Sequence, residues 1–286
     1  MTGNRGGTAS SRREDEKLAQ AAVAALIGQL ALAPKPALPD PRDLGARALW
    51  PDHGSLLWSA KALAPGLAAM AAAGRRTGAP SAVLRAELGA IGRSTEHSAG
   101  LAGGGHRGAL WALGLLVAAA AFDPRAGGHD VAAAAKKIAA FTDKGAPRRP
   151  SRGSSVSAKY GAAGARGEAR AGFPHIRRAL DALDRSRSAG ATETQARLDA
   201  LLTVMSTLQD TELLHTAGPL GLRYVQAGAR GVLDTGGTAT EAGAEALRGL
   251  DADLHARAWS PRGSAGLLAG ALFLDSLPLN TQVPPV

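Results

Sequence analysis

The chain of 286 residues is 45% hydrophobic and only 3% aromatic, with 33 Lys and Arg against 24 Asp and Glu and a formal net charge of +9. It has no cysteine, which excludes disulfides and thiolate-ligated metal and fits a cytoplasmic protein. The length can bury a sizeable core in one domain or at most two, and the scarcity of aromatics means building that core from Ala, Leu and Val. The basic balance favours anionic partners, either nucleic acid or a small polyanion such as ATP or a coenzyme A derivative. The plain alternative is arginine enrichment that follows base composition and merely solvates the surface.

In chain order, residues 1–14 are polar and lack an apolar segment, so they read as a disordered basic tail and not as a signal peptide. A helix begins near Glu14, where Leu18, Ala22, Leu26 and Leu30 recur at helical spacing, and it ends before Pro34. Five prolines make 34–54 a loop. A helix over 55–73 is disturbed at Pro65-Gly66, and another covers 82–91. Glycines 103–105 turn the chain into a helix over 107–121. The longest apolar run, Ala109–Phe122, is too short for a bilayer, which needs about 20 residues. A helix follows at 131–141. Residues 143–158, basic and rich in Pro, Ser and Gly, read as a mobile loop. Helices at 174–187, 192–208, 220–233, 240–256 and 263–277 complete the pattern. The helix after Thr192 has a good N-cap, with Gln195 three residues on. Alternating strand patterns are nearly missing. The expectation is an all-α fold, one globular domain of roughly ten helices spanning 15–286.

The densest chemical signal is 160–174, YGAAGARGEARAGFP. Gly161, Gly164, Gly167 and Gly172 frame one Arg and one Glu, and Gly153 lies just upstream. Glycine permits positive φ and close backbone approach. Arg166 offers a fork of donors for phosphate oxygens, and Glu168 a hard oxygen for a metal ion. A glycine-rich surface loop with a solvated ion pair would look the same. Two residues apart, Arg166 and Glu168 splay by about 200° on a helical turn, so each is expected to serve a different partner, Arg166 the triphosphate and Glu168 a metal or a hydroxyl.

Five ordered segments together resemble the triphosphoribosyl-dephospho-coenzyme-A synthases of citrate lyase and malonate decarboxylase systems. They are the run just described, Pro34-Lys35-Pro36-Ala37-Leu38, the His106-Arg107-Gly108 helix start, Asp210-Thr211 with Gly218 and Gly221-Leu222, and Ser260-Pro261-Arg262-Gly263-Ser264-Ala265. The chain departs from the family pattern mostly at polar positions: in Gly45–Trp50, at Gly104-Gly105, at Glu212, in Thr216-Ala217-Gly218 and at Gly266. The resemblance implies a transferase that joins the triphosphoribosyl group of ATP to the ribose 2′-hydroxyl of 3′-dephospho-coenzyme A, with release of adenine and with Mg²⁺ on the triphosphate. It implies as partners a carrier protein or the transferase that loads it, and no membrane. The departures leave a second reading open, a pseudoenzyme of the same fold. A nucleic-acid-binding reading rests on net charge and the 143–158 segment alone.

On that resemblance, Lys35, Arg107 and Arg166 are triphosphate contacts, with Gly167, Gly263 and Ser264 supplying backbone or hydroxyl donors at turns and a helix start. Glu168 and Asp210 are metal ligands or a general base, and His106 a proton carrier. The alternatives are ordinary ones: surface charge for the cations, a helix cap for Asp210, and simple capping for His106 and Ser264. The six other histidines show no zinc-like spacing. The tryptophans read as packing, with adenine stacking open for Trp50 and Trp259.

Overall fold

Two helices that are apolar on nearly every face sit in the middle of the molecule, as all-round apolar helices must. They are α5 (Arg107–Ala120), buried from Ala109 and Leu110 through Ala112–Ala120, and α14 (Arg262–Asp275), buried at Ser264 and from Leu267 to Leu274. The computed structural model describes residues 5–42, 53–101 and 106–278. Around this pair run α1 (Arg5–Leu30), α2 (His53–Ala62), α3 (Ala64–Thr77), α4 (Ala82–Leu101), α6 (Gly128–Ala140), α7 (Arg152–Tyr160), α8 (Gly164–Arg170), α9 (Pro174–Ser188), α10 (Glu193–Met205), α11 (Thr211–Thr216), α12 (Gly218–Asp234) and α13 (Glu241–Ala256). The described residues form fourteen helices and no strand, so the fold is all-α.

The packing follows from small side chains. α14 lies against α1, α5, α9 and α10, and α3 lies against α1 and α5. At the α3–α5 crossing a Cβ on Gly74 would stand 2.2 Å from the Ala118 carbonyl oxygen, so the backbones nearly touch. Alanine and glycine allow this approach, and the leucines fill the remainder. Leu67, Leu113, Leu116 and Leu268 are fully buried, and each such side chain contributes about 1.5–3 kcal/mol. The stretch His53–Thr77 is long and apolar enough to cross a membrane by length and composition. Here it is broken between α2 and α3, and α3 packs inside the bundle.

Several boundaries differ from the sequence expectation. The first helix starts at Arg5, not near Glu14, so the described part of the 1–14 tail is helical. Once a helix is nucleated, adding residues is cheap, and the Arg12–Glu16 and Glu14–Lys17 pairs support the exposed start. The helix expected over 82–91 continues to Leu101. The 143–158 segment is not loop throughout. Its second half is α7, begun by the Ser151 hydroxyl accepting from the Ser154 N–H and ended by Gly161 at φ 65°. Only Val156 of α7 is buried, so there was no apolar period to read. The Gly45–Trp50 segment and Gly103–Gly105 lie outside the described residues.

Candidate active site

Helix starts converge on one cleft of about 460 Å³, a size typical of small-molecule sites. The first residues of α5, α7, α8, α11 and α14 all line it: Arg107, Arg152, Gly164, Thr211 and Arg262. A helix N-terminus exposes unpaired N–H groups and carries about half a positive charge. Arginine is out of place there, because the dipole disfavours cations at that end by about 0.3–1 kcal/mol each. Three arginines at three converging helix starts make a wall that an anion would stabilise. Arg107 meets Glu96 at 3.1 Å and Arg152 meets Glu212 at 3.4 Å.

Asp210 ties two of these starts together. As the N-cap of α11, its Oδ1 accepts from the Glu212 N–H at 2.9 Å. Its Oδ2 accepts from the Gly263 N–H at 2.8 Å, in the first turn of α14. Gly263 has to be glycine for this approach, since a Cβ would stand 2.9 Å from Oδ2. The carboxylate is 3% exposed. Burial pushes its pKa up to about 6, against the pull of backbone donors from Glu212, Gly263, Leu213 and Ser264. A buried carboxylate that titrates near neutrality in a cleft is a recognised mark of function.

His106 stands just before α5 and lines the same cleft. Its Nε2 lies 2.9 Å from the Leu56 carbonyl oxygen. A carbonyl only accepts, so Nε2 carries the proton and Nδ1 is the acceptor of the neutral ring. Burial lowers the His106 pKa, the Leu56 bond raises it, and the Arg262 charge lowers it again. The neutral ring is thus the favoured form at pH 7, which suits a general base.

Glu168 is 5% exposed in the cleft wall. Its Oε1 accepts from the His175 N–H at 2.9 Å, and its Oε2 lies 2.7 Å from His175 Nδ1. It therefore caps the start of α9, whose first residue, Pro174, has no N–H to offer. In this geometry the partner of Glu168 is His175, neither the metal nor the hydroxyl expected from the sequence.

Five of the sequence-predicted residues line the cleft: His106, Arg107, Glu168, Asp210 and Gly263. Lys35, Arg166, Gly167 and Ser264 do not. Lys35 is fully buried, and its Nζ donates to the Gln29 and Leu30 carbonyls at 2.7 and 3.5 Å. It closes the end of α1, where a cation meets the negative end of the dipole. Arg166 points its charge into a second pocket, and Ser264 is 1% exposed with an Oγ that makes no hydrogen bond among the described residues. Trp259 packs edge-on against Tyr224 at 6.0 Å, outside the cleft lining, and Trp50 lies outside the described residues. Sequence reasoning missed Arg152, Arg262 and His175. Arg262 sat inside a quoted segment and Arg152 inside the basic stretch, but nothing in the sequence gave their meeting point.

The donor set does not build a resident metal site. All four oxygens of Glu168 and Asp210 already accept from protein N–H donors. No group of three or more His, Asp or Glu is placed to hold a metal ion among the described residues. The assignment of both carboxylates as metal ligands therefore lacks support in this geometry.

Fold and site thus define an all-helical protein with a cleft that suits an anion, lined by a titratable carboxylate and a neutral histidine. The chain belongs to the CitG family of ATP:dephospho-CoA triphosphoribosyl transferases, whose family model matches residues 15–284. Three similar proteins carry the name probable 2-(5''-triphosphoribosyl)-3'-dephosphocoenzyme-A synthase. That of Pseudomonas paraeruginosa is 50% identical over 92% of this chain and 91% of its own length. That of Stutzerimonas stutzeri is 46% identical over 94% of both, and that of Azotobacter vinelandii is 48% identical over 92% and 91%. No solved structure matches the chain significantly.

Proposed function

We propose that this chain transfers the triphosphoribosyl group of ATP to the 2′-hydroxyl of 3′-dephospho-coenzyme A and releases adenine. The observation that carries the reading is the convergence of helix starts and of Arg107, Arg152 and Arg262 on one cleft. Such a wall suits a triphosphate, because N–H donors and fixed guanidinium forks can share its oxygens. In the reaction, the bond between C1″ and the adenine nitrogen breaks and a bond from the acceptor oxygen to C1″ forms. The transition state has oxocarbenium character, as glycosidic chemistry generally does. The acceptor hydroxyl gives its proton to His106 Nδ1, and adenine leaves with the bonding electron pair and takes up a proton. Asp210 is a positioning residue that holds the starts of α11 and α14 in register, and Glu168 does the same for α9. Mg²⁺ enters as the companion of the triphosphate, and no step is routed through it. The product would serve as precursor of the carrier-protein prosthetic group of a malonate decarboxylase or citrate lyase.

The test is to incubate the protein with ATP, Mg²⁺ and 3′-dephospho-coenzyme A and to separate bases from nucleotides by chromatography. Adenine should form only when both substrates are present. No adenine above the blank, with ATP binding retained, would overturn the transferase reading in favour of the pseudoenzyme.

A further inference from the structure

Across the first turns of α5 from the cleft lies a second pocket of about 140 Å³, and the two share Arg107 and Trp111. The small pocket brings together Arg85, Arg93, Arg107 and Arg166 with two carboxylates, Glu96 and Asp143. Glu96 is paired with Arg107, and Asp143 with Arg93 at 2.7 Å. Four guanidinium groups thus share two carboxylates, Asp143 serving Arg85 as well as Arg93. The Arg85 side chain is only 9% exposed, and its closest carboxylate oxygen is at 3.7 Å. Its guanidinium lies over the Trp111 ring, 5.5 Å from the centroid, and makes no hydrogen bond among the described residues. A guanidinium carries five N–H donors, and those of Arg85 are left for a ligand of the pocket they line. Burial lowers the Arg85 pKa, Asp143 opposes this, and the charges of Arg166, Arg93 and Arg170 lower it further. The pocket therefore holds fixed positive charge and unspent donors, which a phosphate group would satisfy.

We propose that this pocket is a second anion subsite that takes the diphosphate of the acceptor, while the larger cleft takes the triphosphate of ATP. The assignment to the acceptor rests on the transferase reading; the anion subsite does not. In 3′-dephospho-coenzyme A the reacting 2′-hydroxyl and the diphosphate hang on one ribose, so their sites must adjoin. The shared Arg107 and Trp111 are the junction that this requires. The volume admits phosphate groups and is too small for a nucleoside.

Two measurements on the full chain test this, using Arg166→Ala, an exposed and therefore fold-neutral change, and Arg85→Lys, which keeps the charge but loses the fork. Calorimetric titration with inorganic pyrophosphate should show a site weakened tenfold or more in both variants, and unchanged affinity in both overturns the subsite. In the adenine-release assay, Arg166→Ala should raise the KM for 3′-dephospho-coenzyme A about tenfold and leave the KM for ATP within about twofold. A rise in the KM for ATP instead overturns the assignment to the acceptor. If the wild type releases no adenine but the pyrophosphate result stands, the transferase reading and the acceptor assignment fail, while the anion subsite is supported.

Discussion

Replacing Asp210 by Asn separates the two demands on that carboxylate. Its usual pKa of 3.8 is raised to about 6 in the folded protein, chiefly by burial. The folded state thus binds this proton more tightly than the unfolded state. Stability from this group is complete below about pH 3.8 and is lost as pH rises through about 6. At about 1.4 kcal/mol per pKa unit, the full swing is about 3 kcal/mol, of which about 2 falls between about pH 4 and pH 7. Asn cannot titrate, so the stability difference between wild type and Asp210→Asn should drift by that amount, moving against the wild type as pH rises. A constant offset of about 1–3 kcal/mol will sit beneath the drift, because the Asn amide would turn a donor toward the Gly263 N–H and leave it unpaired. Urea denaturation of both proteins across this pH range reads slope and offset separately. A flat difference, or one that moves in favour of the wild type with rising pH, would refute the claim that burial outweighs the two helix N-termini at this site.

The other predictions concern the cleft wall. Arg152→Ala and Arg262→Ala should each weaken ATP binding about 10- to 100-fold, the loss expected for a charge-assisted hydrogen bond of about 1.5–3 kcal/mol; calorimetry with ATP checks this. His106→Gln keeps a donor for the Leu56 carbonyl but removes the basic nitrogen, so kcat should fall about 10²- to 10⁴-fold with little change in the KM for ATP. Gly263→Ala forces a methyl to within 2.9 Å of Asp210 Oδ2 and should cost about 1–3 kcal/mol of stability, seen as a lower urea midpoint.

The all-α fold was legible because leucines and alanines recur at helical spacing through most of the chain, and Thr192 with Gln195 announced a capping box that the structure contains. α7, α8 and α11 were not legible. Each is short and buries at most two residues, so their boundaries are set by caps such as Ser151 and Asp210 and leave no apolar period. The glycine run and the His106 and Asp210 segments each contribute residues to the cleft lining. Lys35 misled because a lysine between prolines looks the same from sequence whether it meets a ligand or closes a helix from inside the core. Arg166 lines the smaller pocket and not the cleft that Glu168 lines, a separation that two positions in one glycine run do not reveal. Arg152 and Arg262 became visible only once the helix starts met in space.

The central claim is that the triphosphate of ATP lies where those starts converge, and a crystal structure of the protein with ATP tests it most directly. The claim predicts phosphate oxygens within hydrogen-bonding distance of the guanidinium groups of Arg152 and Arg262 and of N–H groups in the first turns of α5 and α14. A triphosphate bound anywhere else, with those arginines facing solvent, would contradict it.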